Sequence, residues 1–402
     1  MIDLPSTSDD ARTAGPGGSA AVWVERLALT NFRNYLAAEL VVTADPVVLL
    51  GNNGAGKTNL LEAVSLLAPG QGLRRANYPE MARAGSNGDW AVAARLRTGN
   101  GPVDIGTGLQ PSNASSQTVS GRIVRIDGTS QSGSGALADY VDMVWLTPSM
   151  DGLFTGAAGD RRRFLDRLIL CFDPGYRTRA AQFERAMRQR NRLLDDGVRE
   201  AARFSGLERV MAETGVAIAA VRAEAVSGLI TTISARRAEN PNSPFPWADI
   251  SLDGAIEQML RDRPAIDVED AYAEMLARGR ERDRSAGRTL DGPHRTDLIV
   301  AHGPKAQAAK LCSTGEQKSL LTGLVLAHAQ MLSRSRERGA PILLLDEIAA
   351  HLDDLRRGAL FEEILALGLQ AWMTGTDPHA FAHLSGKATF CRVHEGEIII
   401  QR

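Results

Sequence analysis

GNNGAGKTN, residues 51–59, holds one of only five lysines in a chain of 402 residues that otherwise draws its positive charge from arginine. The stretch satisfies G-x-x-x-x-G-K-[ST] at Gly51, Gly56, Lys57 and Thr58. It follows the apolar run PVVLL and leads into NLLEAVSLLA, whose apolar residues at 60, 61, 64, 67 and 68 keep helical spacing. Strand, glycine-rich turn and helix are the setting a phosphate-binding loop needs. Gly51, Gly54 and Gly56, with Asn52, Asn53 and Ala55 between them, let backbone N–H groups converge on phosphate oxygens while the following helix presents the positive end of its dipole. Lys57 is a lysine because a compact ammonium fits between β- and γ-phosphates where a wide, planar guanidinium fits badly. Thr58 supplies a hydroxyl for Mg²⁺, and Asn59 follows it at the head of the helix. The stretch predicts an α/β fold of the P-loop NTPase kind that binds ATP.

A phosphate cradle alone says only nucleotide. The second half of such a site is predicted at PILLLDE, residues 341–347, an apolar strand ending in two acids: Asp346 to hold Mg²⁺ and Glu347 to polarise the attacking water. Upstream, LCSTGEQKSLL at 311–321 opens a helix with Ser313, Gly315 and Glu316, which taken alone reads as a capping box. The order decides otherwise. P-loop, STGEQ, LLLDE and then HLDD at 351–354, with Asp353, resemble the motif order of ABC-type ATPase heads, in which the signature helix of a second subunit binds the γ-phosphate. A signature loop that completes the site of a twin makes ATP part of a two-fold interface, so dimerisation and nucleotide binding strengthen each other by the same coupling free energy.

Composition bounds the rest. With 44% hydrophobic residues the chain can bury a large core, and 46 basic against 48 acidic residues give no global pull toward nucleic acid or anionic membrane. Cys171, Cys312 and Cys391 are far apart and lack metal-ligand spacing, which predicts reduced thiols in the cytoplasm. The opening MIDLPSTSDDARTAGPGGSA lacks an apolar signal core and reads as a disordered tail over residues 1–21. Apolar runs such as PILLL are strand-sized, so no membrane span is expected.

Strand-like runs at 22–30, 39–50, 90–96, 122–126 and 141–146 make the first third strand-rich, with loops expected at 110–121 and 130–136. From about 158 to 285 apolar residues recur at three and four, which predicts helices broken at DPGY and NPNSPFPWAD and no long coiled coil. LIV at 298–300, a helix through 316–334, ILLLD, another helix, AWMTG and EIIIQ then restore a mixed pattern. These patterns divide the chain into an ATPase head of mixed sheet and flanking helices at 22–155 and 288–402, with an inserted, mostly helical arm at 156–287.

LALTNFRNY (27–35), APGQGLRRA (68–76), GLFTGAAGDRRRFLDRLIL (152–170), RAMRQRNRLL (185–194), LDGPHRTDL (290–298), STGEQKSLL and LLLDEIAAHLD together resemble the RecF family of bacterial recombination and repair ATPases, over nearly the whole chain after residue 22. The resemblance implies an ABC-type head with a short helical arm, akin to chromosome-maintenance ATPases. It implies weak, DNA-stimulated ATP hydrolysis, an ATP-dependent homodimer, binding to double-stranded or gapped DNA, and action with RecO and RecR to load recombinase, in the cytoplasm at the nucleoid. It also implies that Asn31, Arg33 and Asn34 contact nucleotide. The pattern departs from the family at TPSMD, where P-E-D-L is common and no Q-loop glutamine stands, and at TGTD (374–377), where Thr376 takes the place of a γ-phosphate-sensing histidine.

Between residues 160 and 192 ten arginines stand against four acids, the best local answer to the missing global charge. Arg185, Arg188 and Arg192 share one helical face and are the expected DNA contacts, although a solvated face is an equally ready account. His294 and Arg295 in GPHR read as core-facing or interfacial. Two further functions share the nucleotide motifs, a transporter ATPase subunit and a non-hydrolysing DNA-binding scaffold. The long helical insertion and lack of a membrane-coupling segment oppose the first, and the paired acids oppose the second.

Overall fold

The computed structural model describes residues 22–110, 121–334 and 340–401. The expected tail at 1–21 and nearly all of the polar loop at 110–121 lie outside the described residues. The chain begins with β1 (Trp23–Phe32), β2 (Tyr35–Val41), β3 (Val47–Leu50), α1 (Lys57–Ser65), β4 (Trp90–Thr98), β5 (Gly101–Leu109), β6 (Ile123–Ile126), β7 (Thr129–Ser130) and β8 (Met143–Leu146). A helical block follows: α2 (Ala158–Ile169), α3 (Tyr176–Asp195), α4 (Ala201–Glu239), then β9 (Ala248–Asp253), α5 (Ala255–Met259), α6 (Ala265–Arg278) and α7 (Arg280–Ala286). The last third carries β10 (Asp297–His302), β11 (Gln307–Ala308), α8 (Thr314–Arg334), β12 (Ile342–Leu345), α9 (Asp354–Ala366), β13 (Ala371–Gly375), β14 (Thr389–His394) and β15 (Glu397–Gln401).

Two sheets frame the head. One is an antiparallel ribbon in the order β2-β1-β4-β5-β6-β7, and the other runs β15-β14-β3-β13-β12-β8 with every pair parallel except β14 with β15. VVLL and ILLL are buried at every position because both faces of the parallel sheet are covered. Alternate residues enter different cores. Val47, Leu49, Ile342 and Leu344 join α1 and the antiparallel sheet on one side. Val48, Leu50, Leu343 and Leu345 join α2, α4, α8 and α9 on the other.

That second core is continuous from the parallel sheet into the helical block, where Phe183, Met211, Val226 and Tyr272 belong to it. The block also contains β9, which pairs antiparallel with β10 beyond residue 288, so the two parts share a sheet as well as a core. The run 39–50 is two strands rather than one. Thr43 donates to Asp45 in the connecting turn, and Pro46 brings no N–H to a ladder. The α4 helix is by length and composition apolar enough to cross a membrane, with a window of mean hydropathy 1.6. Its buried residues nevertheless include Glu208 and Arg222, and it packs on α3, α6 and α8.

Charge inside this block is paired. Arg190, fully buried, donates from Nε to Glu208 at 3.1 Å, from Nη1 to Asp283 at 2.7 Å, and from Nη2 to the Leu276 carbonyl at 2.7 Å. It ties α3 to α4, α6 and α7, and removing one partner of such a set costs about 3–5 kcal/mol.

His328, sealed within α8, donates from Nε2 to the Leu168 carbonyl at the end of α2 at 3.0 Å. Burial pushes its pKa down to about 3. The imidazole of the unfolded chain takes up its proton near 6.5, so the folded state loses stability as pH falls from 6.5 toward 3, by about 1.4 kcal/mol per unit. Urea unfolding at pH 7 and pH 5 should therefore show a loss about 2 kcal/mol larger in the wild type than in His328→Gln. Equal losses would mean that His328 is not held neutral.

Candidate nucleotide-binding site

The phosphate loop follows β3 and ends in Gly56, the residue capping α1, with φ 111°. A side chain there would be strained and also blocked, since a Cβ would sit 2.5 Å from Asn34 Nδ2 and 2.8 Å from the Tyr35 hydroxyl. At Gly51 a Cβ would lie 2.3 Å from the Val393 carbonyl oxygen on β14. Lys57 curls over its own loop, donating to the carbonyls of Gly51 at 2.7 Å and Asn52 at 2.9 Å. Burial lowers its pKa, and the opposite charges of Glu347 and Asp346 act against that.

The acids arrive through the sheet order. β13 lies between β3 and β12, all parallel, so the carboxyl ends of these strands converge. Asp346 Oδ1 accepts from Thr58 Oγ1 at 3.0 Å and from Thr374 Oγ1 at 2.8 Å, which joins residues 288 positions apart in sequence. Glu347 has left-handed backbone, φ 55°, and its N–H donates to Thr374 Oγ1 at 2.8 Å. One sealed hydroxyl thus links both acids. Thr376, expected to sense the γ-phosphate, is exposed just past β13, and within the strand it is Thr374 that touches the acids. A hydroxyl and a carboxylate in contact, Thr58 with Asp346, are a donor set suited to Mg²⁺, an ion that takes its other ligands from water and substrate phosphates.

TPSMD, the segment that departs from the family pattern, closes the other side of these acids. Thr147 and Ser149 share a hydrogen bond of 2.8 Å, and Asp151 pairs with Lys318 of α8 at 2.9 Å. Thr147, Asp151, Lys318, Asp346 and Glu347 line one small cavity.

The turn between β1 and β2 grips the loop from the antiparallel sheet. Asn31 and Arg33 both hold positive φ, and Tyr35 donates to the Gly56 carbonyl at 3.0 Å. Asn34 donates to the Ala55 carbonyl at 3.1 Å and accepts from Asn59 at 2.7 Å. Arg33 forms two parallel bonds of 2.8 Å to Glu62, a fully buried carboxylate on α1 that Arg74 also approaches at 3.4 Å. Sequence reasoning missed Glu62, whose position on an apolar helix face beside a family-marked arginine was the available signal.

Ser313 and Glu316 form the capping box: the Ser313 N–H donates to Glu316 Oε2 at 2.9 Å, and the Glu316 N–H reaches Ser313 Oγ at 3.4 Å. Lys305, followed by the Ser313 bonds, pulls the Glu316 pKa down to about 2. Gly315 lies in the first turn of α8 with open space where a Cβ would go. Among the described residues no hydrogen bond joins Ser313, Gly315 or Glu316 to the phosphate loop. Asp353 caps α9 by accepting from the Arg356 N–H at 2.9 Å.

The arginine count on α2 and α3 overstated free charge. Arg161 is bonded twice to Asp297, Arg162 to the Thr296 carbonyl, Arg179 to Asp173, and Arg190 is buried. Arg185, Arg188 and Arg192 are exposed on α3, with Arg188 paired to Glu184 at 3.4 Å. His294 packs against Phe183 and hydrogen-bonds to the Thr289 carbonyl, while Arg295 is exposed.

The RecF/RecN/SMC N-terminal domain model matches residues 23–384. A Mesorhizobium japonicum protein named DNA replication and repair protein RecF is 53% identical over 94% of this chain and 98% of its own length. A Brucella suis protein of the same name is 51% identical over 94% of this chain and 96% of its own. The chain belongs to the RecF family. Membership makes it an ATP-binding ATPase of the ABC type. The fold agrees: a solved structure of the recombination mediator protein RecF, from the RecFOR pathway, superposes with a TM-score of 0.82 at 20% identity, covering 96% of this chain and all of that one. A Pyrococcus furiosus Smc head domain reaches 0.52 at 15% identity over 94% of this chain and 96% of its own. In this RecF-family chain the Thr374 bridge is open to test. Thr374→Val should destabilise the fold by about 1.5–3 kcal/mol through loss of a hydroxyl bonded to a charged group. Thr374→Ser should cost only about 1 kcal/mol for one methyl. Denaturant unfolding separates them, and indistinguishable variants would remove the bridge from the account.

Proposed function

We propose that the chain is an ATP-gated DNA-binding protein of recombinational repair and replication restart, whose slow, DNA-stimulated hydrolysis of ATP times the release of a clamp. Lys57 and the loop N–H groups would bind the β- and γ-phosphates, and Glu347 would polarise the water that attacks the γ-phosphorus. Thr58 and Asp346 would hold Mg²⁺, which offsets phosphate charge when bound. Arg33 and Asn34 would meet the nucleotide from the side of the β1–β2 turn, and Thr376 stands where a γ-phosphate sensor is expected.

The observation that carries the dimeric reading is a pair of exposed apolar side chains at the signature face. Leu311 is 66% exposed two residues before Ser313, and Leu355 is 74% exposed two residues after Asp353. Large apolar groups beside two polar nucleotide motifs fit a surface that a second copy covers. Ser313, Gly315 and Glu316 would then reach the γ-phosphate held by the phosphate loop of the twin, and hydrolysis would loosen the pair.

The names of the relatives, DNA replication and repair protein RecF, and the RecFOR pathway of the matched structure support DNA as the target and RecO and RecR as partners. The form proposed is double-stranded or gapped DNA, with the three proteins acting together to load recombinase. The protein would work in the cytoplasm at the nucleoid, its cysteines at 171, 312 and 391 buried.

Gel filtration with Mg²⁺ and ATP should give a dimer for the wild type and a monomer for Lys57→Met. A monomeric wild type under saturating ATP would defeat the proposal. ATP turnover measured with and without duplex DNA should rise with DNA; a transporter-type ATPase would ignore it, and a scaffold would show no turnover.

A further inference from the structure

Four arginines that form no salt bridge among the described residues meet at the loop following α1. Arg122, at the start of β6, is partly buried and donates to Thr107 Oγ1 at 2.7 Å, to the Gly70 carbonyl at 2.6 Å and to the Leu66 carbonyl. Arg167, on α2, lies over the Trp145 ring with 4.7 Å to the centroid, and its Nε is sealed from solvent without a partner. Arg177, in the first turn of α3, is exposed, and its Nη2 lies 3.5 Å from where a Gly70 Cβ would be. Arg75 is exposed with left-handed backbone, φ 55°.

The charges feel one another. Burial lowers the pKa of Arg122, Tyr78 acts against it, and Arg177 lowers it further; burial and then Arg75 lower that of Arg167, to about 10, with Cys171 opposing. Carbonyls and a ring face hold these guanidiniums in place, but they do not cancel a full charge as a carboxylate would. The result is fixed positive potential behind the loop Gly70–Arg75.

Arg177 also begins a stripe. At 100° per residue, Arg177, Arg185, Arg188 and Arg192 fall within about 80° of the α3 circumference and span about 22 Å, roughly two thirds of a B-DNA turn. Glu184 and Asp195 share that face, and Glu184 pairs with Arg188, so the stripe keeps a net positive charge. No aromatic side chain is exposed along it to stack unpaired bases, which favours duplex.

We propose that the loop Gly70–Arg75 and the exposed face of α3 form one continuous track for a DNA duplex, with Arg75 and Arg177 touching backbone phosphates and Arg122 and Arg167 supplying fixed charge behind them. The inference rests on the DNA-binding reading above and assigns it a surface. Contacts of this kind carry no base sequence, so their signature is the salt dependence of affinity.

The test is fluorescence anisotropy of a labelled 30-bp duplex with the full chain and ATP, at salt from about 50 to 200 mM. Arg75→Ala with Arg177→Ala should flatten the slope of log K against log salt by about 2, and Arg185→Ala with Arg188→Ala and Arg192→Ala by up to about 3, since each phosphate contact contributes about 0.9. Arg278→Ala, an 81% exposed arginine paired with Glu274 on α6, should leave the slope unchanged. ATP binding should be equal in all. Wild-type binding with an unaltered slope in the Arg75/Arg177 variant overturns the track alone. A wild type that binds no duplex at any salt overturns the DNA-binding reading and the track with it.

Discussion

Asp346 accepts a hydroxyl from each side, Thr58 at 3.0 Å and Thr374 at 2.8 Å, and this one carboxylate decides how the chain must be laid out. It follows β12, and its two partners come from the head of α1, which the phosphate loop joins to β3, and from β13; these meet at the carboxyl edge of the parallel sheet. Parallel strands need long crossovers, so the chain leaves this sheet after residue 50, returns to it as β8, and leaves again before β12. Strands β4 to β7 of the antiparallel sheet and the helical block are what the chain builds on those two excursions.

Covering the sheet on both faces follows from the same layout. Odd and even residues of VVLL and ILLL enter separate cores, and the helical block extends one of them without interruption. A displacement of α2, α4 or α8 therefore cannot be absorbed locally, because the cores are close-packed against the strands that carry the acids. On the opposite face the β1–β2 turn packs so closely on Gly56 that no side chain fits, and Glu62 anchors Arg33 beside the loop. The antiparallel sheet thus touches the phosphate loop directly, and the core shared with the strand that carries the acids is the physical route by which nucleotide would be felt in the helical block.

The phosphate loop, the acidic strand and the signature segment were legible because their chemistry demands particular residue types at short spacing. GNNGAGKTN and PILLLDE sit on the elements predicted for them, and Ser313 and Glu316 form the capping box their spacing implied. Other elements were hidden. β5, GPVDIGTGL, carries three glycines and gives little apolar alternation, and β9 follows a proline-rich break that masks a six-residue strand. Thr374 was illegible because its role depends on the register of β13 against β3, a long-range fact. The arginine density of α2 and α3 misled in the opposite direction, since sequence cannot tell a guanidinium bonded to Asp297 or buried with Glu208 from one facing solvent.

The central claim is that one functional site is divided between two copies, the phosphate loop of one and the Ser313 helix of the other. Mixing two inactive variants, Lys57→Met and Ser313→Arg, tests it most directly. Mixed dimers would contain one intact composite site, so an equimolar mixture should recover ATP turnover that neither variant shows alone. A mixture as inactive as its separate components would place both halves of the site in a single chain and contradict the account.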